Sequence, residues 1–130
     1  MVAKYITVCV TGSRGIKSKI VVEQILYKFF EKYSQYIIHV IVGDAPGVDT
    51  ITYNWAKKAV HFVTQLRPAH KYFPELWQSP ADNVLYHARN MSAVNNCDVV
   101  LSIWDGKSTG TKHTMDYAEE DFIEVFVREC

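Results

Sequence analysis

The sequence has no excess of charge of either sign and no long apolar run. Across 130 residues, 14 Lys and Arg side chains balance 14 Asp and Glu side chains. Because the protein has no net positive charge, it has no general electrostatic attraction for nucleic acid or an anionic membrane. Any anion-binding site must therefore be local. No stretch is apolar enough to span a bilayer, and the first residues contain no hydrophobic region typical of a signal peptide. We therefore expect a cytoplasmic protein.

Cysteine is scarce, and the usual patterns of metal ligands are missing. Cys9, Cys97 and Cys130 are odd in number, widely spaced and form no CxxC pair. Because Cys9 and Cys97 lie in or beside apolar runs, buried thiols are favoured over a disulfide or a metal site. The five histidines contain no HxxxH or HxH pair, so no metal ion is expected.

The standard nucleotide-binding fingerprints are missing as well. GxGxxG does not occur, and no acidic residue closes the second predicted strand, which argues against ordinary dinucleotide binding. GxxxxGK(S/T) does not occur, which removes the P-loop interpretation. We therefore expect no cofactor.

What the sequence does have is a regular alternation of strand-like and helix-like segments. Apolar and β-branched runs predict strands at 5–10, 37–42, 60–66, 97–104 and 122–127. Helical spacing of apolar residues predicts helices at 17–33, 48–59, 82–95 and 112–121. This order favours an α/β fold, a Rossmann-like three-layer αβα sandwich with a mostly parallel five-stranded sheet. With no linker or internal repeat, residues 1–130 are expected to form one domain.

Small-residue loops follow the first, second and fourth predicted strands, at 11–15, 43–49 and 105–111. Right-handed crossovers bring such loops to the carboxyl edge of the sheet, where α/β proteins bind ligands. Glycines allow close approach, and a loop that opens a helix directs free N–H groups at one point. Arg14 either clamps a phosphate or lies solvated on the surface. The predicted ligand-binding residues of the loops are Gly12, Ser13, Arg14, Gly43, Asp44, Ala45, Gly47, Asp49, Asp105, Ser108, Thr109, Gly110 and Thr111.

Arg89 is the strongest single candidate outside these loops. It lies on the predicted helix before the fourth strand, and a charge-assisted contact from it to phosphate is worth roughly 1.5–3 kcal/mol. Its alternative role is an ion pair with Asp98 or Asp82. Trp104, at the end of the fourth strand, either stacks on a base or belongs to the core. Asp49 is expected to cap its helix or orient the loop backbone rather than bind a metal.

Four segments of the chain resemble motifs of the SLOG superfamily. They are residues 11–14, 43–49, 89–90 and 108–111, with Thr114 and Ala118 following the last. This superfamily includes the DNA-processing protein DprA (Smf), the LOG phosphoribohydrolases and the small YspA-like proteins. The resemblance spans residues 11–118 and implies a nucleotide-binding domain with Asn90 beside Arg89 in the site. In size, and at Trp55 and Trp104, the chain looks most like the YspA-like group, which implies sensing or binding of a nucleotide or a nucleotide-derived phosphate ligand.

The other subfamilies imply different activities. The segment around Arg89 is similar to the LOG motif whose arginine is catalytic, which implies a nucleoside 5′-monophosphate N-glycosidase. The glutamate of the next LOG motif falls at Thr114, and a hydroxyl cannot replace a carboxylate in this chemistry. Hydrolysis would then need the charge of another acidic residue. The candidates are Asp44, Asp49, Asp105 and Asp116. Of these we expect Asp116 to be the catalytic residue, together with Arg89. The same positions also resemble DprA, which implies binding of single-stranded DNA, although the zero net charge argues against it.

The expected partners follow from these alternatives. They are a nucleotide-like small molecule, or else single-stranded nucleic acid, and a second copy of the chain in a homodimer or larger homo-oligomer. The exposed face of the helix after the third strand, or Phe73 and Trp77, could form that contact. Residues 67–81, with three prolines, are either a lid or partner-contacting segment or a packed surface connection with a turn of helix near 73–77.

Overall fold

The structure is a computed structural model that describes residues 4–59, 61–68, 71 and 84–130. Its elements are β1 (Lys4–Gly12), α1 (Lys19–Glu31), β2 (Tyr36–Val42), α2 (Val48–Lys58), β3 (Phe62–Gln65), α3 (Val84–Asn95), β4 (Val99–Trp104), α4 (Thr109–Glu120) and β5 (Glu124–Glu129). The strands form a sheet in the order β3-β2-β1-β4-β5, and each neighbouring pair is parallel. The predicted Rossmann-like α/β sandwich is confirmed.

Side chains alternate between the two faces of the sheet along each strand, so the core has one part on each face. Val8 and Val10 of β1 and Leu101 of β4 pack with side chains of α1 and α2. Cys9 of β1 and Val100 of β4 point to the opposite face and pack with side chains of α3 and α4. Because successive strand residues point to opposite faces and both faces are covered, these strands appear in the sequence as continuous apolar runs.

Several element boundaries differ from the prediction. α4 begins at Thr109 rather than at 112, because the Lys112 N–H already donates to the Ser108 carbonyl at 3.3 Å. β5 begins at Glu124 rather than at 122, since residues 121–123 close α4. β3 is limited to Phe62–Gln65 at an edge of the sheet. The predicted N-cap Asp82 and the predicted helical turn at 73–77 lie outside the described residues.

The strand order reverses between β1 and β4, and this reversal creates the site. The chain leaves β1 towards α1 on one face of the sheet and leaves β4 towards α4 on the other. The two loops therefore separate and open a crevice at the carboxyl ends of the strands, which is the usual place for a ligand in this architecture. In the described ranges, none of the helices has the length and hydropathy needed to cross a membrane.

Candidate functional site

An open pocket of about 480 Å³ lies in this crevice, within the range of about 300–1,000 Å³ that is usual for small-molecule sites. All three predicted loops and α3 contribute to it. Its lining residues are Thr11, Gly12, Arg14, Gly15, Ala45, Asp49, Tyr86, His87, Arg89, Asn90, Asp105, Ser108, Thr109, Gly110 and Thr111. The structure thus brings together most of the residues that the sequence singled out.

Ser13 joins the loop after β1 to the loop after β4. Its side chain is 1% exposed, and its N–H donates to the Ile103 carbonyl at 3.1 Å. Its hydroxyl accepts from the Asp105 N–H at 3.0 Å and shares a hydrogen bond of 2.9 Å with the Ser108 hydroxyl. Ser13 therefore holds the two loops in register beneath the pocket and is not among the lining residues.

The loop before α4 satisfies some of its own backbone donors. The Asp105 carboxylate accepts from the N–H groups of Lys107 and Ser108, both at 2.8 Å. These two hydrogen bonds hold the pKa of Asp105 below its ordinary value, and the bond from Ser108 has the larger effect. The Trp104 indole N–H donates to the Ser108 carbonyl at 3.0 Å, so Trp104 braces the start of the helix and does not line the pocket.

The first turn of α4 presents backbone donors to the pocket. The helical hydrogen-bond ladder begins with the Lys112 N–H, so the N–H groups of Thr109, Gly110 and Thr111 precede it. Ser108 is the N-cap but makes no side-chain cap bond, because its hydroxyl is paired with Ser13. Thr109, Gly110 and Thr111 line the pocket, so the positive end of the helix dipole opens into it.

Arg89 is held by an acidic partner that the sequence did not reveal. Its guanidinium donates to Asp44 at 2.7 Å, and twice to the Asn90 side-chain oxygen at 3.2 and 3.0 Å. The side chains of Arg89 and Asp44 are 9% and 12% exposed, so this is a largely buried ion pair. Asp98, one of the two expected partners, instead accepts from the Thr7 N–H, and Asp82 is not described. Much of the donor capacity of Arg89 is therefore used within the protein.

Asp49 is a buried carboxyl group that also lines the pocket. It accepts a hydrogen bond from the Ala45 N–H at 3.1 Å, which orients the loop after β2 as expected. Burial raises its pKa from 3.8 to about 6, although the nearby Arg89 guanidinium and the Ala45 N–H oppose this rise. A carboxyl group with a pKa near neutrality can exchange a proton with a ligand.

Arg14 is the exposed cation of the pocket. Its guanidinium lies 5.6 Å from the centre of the Tyr86 ring, and the Arg89 guanidinium lies 5.4 Å from the same ring. Both are cation–π contacts. Because Arg14 is solvent-exposed and lines the pocket, its guanidinium can exchange the contact with Tyr86 for a contact with an anion.

Tyr86 and His87 line the pocket but were not predicted to be part of it. The His87 ring stacks on His113 of α4 with centres 3.9 Å apart and planes 12° apart. Burial, and then the neighbouring His113, lower the pKa of His87. The spacing 86, 89, 90 on one helix would have indicated a shared face with Arg89 and Asn90.

Two glycines of the loops are required by packing. A Cβ on Gly12 would lie 2.4 Å from a methyl carbon of Val48, so the glycine lets α2 approach β1. Gly47 has φ +81°, and a Cβ there would lie 2.5 Å from the Arg14 carbonyl oxygen. By contrast, a Cβ on Gly110 or Gly15 would meet no protein atom within 4 Å.

The remaining predicted residues lie outside the pocket lining. Gly43 and Asp44 lie behind it around Arg89, and Gly47 supports the backbone of the first loop. Asp116 pairs with Lys112 on α4 and is about half exposed, so it is not brought to the pocket. In the ranges that the structure describes, no group of three or more His, Cys, Asp or Glu side chains could hold a metal ion.

Comparison with known proteins supports the fold. No protein-family model matches the sequence, and no curated protein matches it. Among solved structures, DNA processing protein A from Helicobacter pylori, studied for its single-stranded DNA binding mode, matches with a TM-score of 0.67 and 21% identity. The match covers 95% of this chain and 65% of that one, so the chain spans less than two thirds of the protein that it resembles. At this identity the similarity establishes a DprA-like, Rossmann-type fold.

Proposed function

We propose that residues 1–130 form one domain that binds a nucleotide or nucleotide-derived phosphate ligand at the carboxyl edge of the sheet. One observation supports this proposal most strongly. The first turn of α4, with N–H groups that precede the helical hydrogen-bond ladder, lines a pocket at the point where the strand order reverses between β1 and β4. Helix N-termini in this position favour phosphate because backbone donors and the helix dipole act together. The assignment to the SLOG superfamily and its YspA-like members is part of this proposal.

The cations of the pocket have separate roles in this proposal. Arg14 is exposed and supplies the two-pronged contact to phosphate. Arg89 is neutralised by Asp44, so it mainly fixes the pocket floor and the position of α3 against the loop after β2. Replacing Arg89 would therefore disturb folding as well as binding, whereas replacing the exposed Arg14 removes the ligand contact at the cost of only its cation–π contact with Tyr86.

A thermal-shift panel tests the proposal. The ligands are nucleoside monophosphates, NAD, ADP-ribose and inorganic phosphate, each added to the wild type, Arg14→Ala and Gly110→Ala. Arg128→Ala, an exposed arginine on β5, is the matched control. A ligand at a hundred times its dissociation constant adds about 2.7 kcal/mol to stability. We expect a rise for the wild type and the control, and a much smaller rise for the two pocket variants. A flat panel would reject the proposal.

Gly110→Ala is informative because a Cβ there meets no protein atom within 4 Å. Alanine also has a better helix propensity than glycine, so the unliganded protein should not be destabilised. Loss of the thermal shift in this variant would then indicate that the added methyl group displaces a ligand from the first turn of α4.

Single-stranded DNA is a second candidate ligand, and the fold similarity is the observation that favours it. The matched H. pylori protein is described by its single-stranded DNA binding mode. Phosphate contacts with a nucleic acid give an affinity that falls steeply with salt. An oligonucleotide that stabilises the protein, with a strong salt dependence and no effect of mononucleotides, would favour this function over the first.

The pocket carboxyl of Asp49 favours a third candidate, hydrolysis of a nucleoside 5′-monophosphate. Thr114 occupies the position of the LOG glutamate, and its hydroxyl donates to the Gly110 carbonyl at 3.1 Å. Two carboxyl groups line the pocket, Asp49 and Asp105. Asp105 accepts from the N–H groups of its own loop, whereas Asp49 has a raised pKa and can exchange a proton with a leaving base. Release of base from a monophosphate by the wild type, lost in Asp49→Asn with ligand binding retained, would support this activity. No release from purine or pyrimidine monophosphates would reject it.

A further inference from the structure

Phe122 is a large apolar side chain that is almost entirely exposed. It follows α4, and its side chain is 97% exposed to solvent. Its φ is +58°, the only positive φ of a non-glycine residue in the described parts of the chain. A bulky residue in this left-handed region is strained, and residues held in such conformations often serve a function outside folding.

The conformation of Phe122 is set by the way α4 ends. The Ile123 N–H donates to the Ala118 carbonyl at 2.9 Å, and the Phe122 N–H donates to the Glu119 carbonyl at 3.2 Å. These two bonds form a Schellman motif, in which the residue at the position of Phe122 is usually glycine. Glycine would make the same turn without strain. Since Phe122 buries almost nothing in its own chain, folding gains nothing from the aromatic ring.

Acidic residues surround this ring in the sequence. Glu119, Glu120 and Asp121 precede it and Glu124 follows it, and all four side chains are exposed. We refer to Phe122 and these four residues as the acidic knob. An apolar tip with an anionic border suits a cavity that has an apolar wall and a cationic border.

Such a cavity lies on the helices at the opposite face of the sheet. A groove of about 350 Å³ is lined by Lys19, Ile51, Asn54, Lys57 and Lys58, with three cations and no anion among them. We refer to these five residues as the basic groove. A cavity of about 150 Å³ is enough to hold a benzene ring, so the basic groove has room for a phenylalanine side chain.

We propose that the acidic knob of one copy docks into the basic groove of a second copy, with Phe122 inserted beside Ile51 and the acidic residues facing the lysines. The knob ends α4 and the groove lies on α1 and α2, which cover opposite faces of the sheet. One chain therefore cannot fill its own groove. The contact is head-to-tail, so an open row of copies always has one free knob and one free groove at its ends, and it grows until it closes into a ring or extends as a filament. Its electrostatic part is screened by salt.

Sedimentation velocity over a concentration series tests this proposal and is independent of any ligand. The first variant is Phe122→Gly, which removes the aromatic ring of the acidic knob. The second is Lys57→Glu combined with Lys58→Glu, which reverses the charge at two of the three lysines of the basic groove. Phe62→Ser removes another exposed aromatic side chain, 67% exposed on β3, and is the matched control. We expect the wild type and the control to grow beyond dimers with concentration and to dissociate with salt.

Both test variants should be monomeric at every concentration. At a concentration low enough for both proteins to be monomeric, Phe122→Gly should also unfold at a higher temperature than the wild type, because it relieves the left-handed strain. An equimolar mixture of the two variants should form heterodimers and nothing larger, since one intact knob and one intact groove remain. A monomeric wild type, association unchanged in Phe122→Gly, equal loss in Phe62→Ser, or a monomeric mixture would each overturn the proposal.

Discussion

Replacing Asp49 with Asn should make the protein more stable near neutral pH, and the gain should vanish in acid. The folded protein holds this carboxyl at a pKa of about 6, against an ordinary value of 3.8. Because the folded pKa is raised, the folded state favours the protonated form. The protonated carboxyl group therefore adds to the free energy of unfolding of the wild type. This contribution is complete only below about pH 4 and is lost as the pH rises through 6. A difference of about 2.2 pKa units corresponds to about 3 kcal/mol, from 1.36 kcal/mol per unit.

The substitution isolates this contribution because Asn keeps the shape of the protonated acid, and its oxygen can still accept from the Ala45 N–H. The measurement is urea unfolding followed by tryptophan fluorescence, at a series of pH values from 4 to 7.5. The free energy of unfolding of Asp49→Asn minus that of the wild type should rise by about 2.4 kcal/mol over this range, because a small part of the full change lies below pH 4. Asp116→Asn, an exposed carboxyl paired with Lys112, is the control, with a change below about 1 kcal/mol. A difference that stays constant with pH for Asp49→Asn would refute the burial argument.

Three further predictions concern the surroundings of the same pocket. Arg89→Ala should lower the free energy of unfolding by up to about 3–5 kcal/mol, because the largely buried Asp44 carboxylate then keeps only the longer contact with the half-exposed Lys71, at 3.7 Å; a loss below about 1 kcal/mol in urea unfolding would contradict the ion pair. Gly47→Ala should cost about 1–3 kcal/mol owing to its φ of +81°, whereas Gly15→Ala should be neutral, and equal effects of the two would contradict the close packing. Binding of a phosphate ligand near pH 6 should take up more protons in the wild type than in Asp49→Asn, because added negative charge raises the pKa of Asp49 further; calorimetry in buffers of different ionisation enthalpy measures this, and equal proton uptake by the two proteins would contradict it.

The fold could be predicted because its signals are local. Each strand is a β-branched or apolar run and each helix an amphipathic segment, and their alternation alone favours a parallel sheet. Topology then brings the loops after β1, β2 and β4 to one edge, so the grouping of Arg14, Asp49 and Thr111 follows without knowledge of any contact.

The details of the site could not be predicted because they depend on contacts between distant residues. Asp44 is 45 residues from Arg89, and nothing in either local sequence indicates that they pair. Ser13 was expected to face a ligand, but its hydroxyl bonds to Asp105 and Ser108, more than 90 residues away. The left-handed conformation of Phe122 was missed for a different reason: the usual signal for that turn is a glycine, and here there is none.

The most direct test of the phosphate site is a titration followed by the backbone amide signals of the protein in two-dimensional NMR. Adenosine monophosphate is the first ligand, and adenosine without phosphate is the control. We expect saturable shifts of the Thr109, Gly110 and Thr111 amides with the monophosphate and much smaller shifts with adenosine. The signals from Lys57 and Lys58 in the basic groove should stay unchanged. Saturable binding that leaves the three amides of α4 unmoved, or that moves the signals of the basic groove instead, would contradict the proposed site.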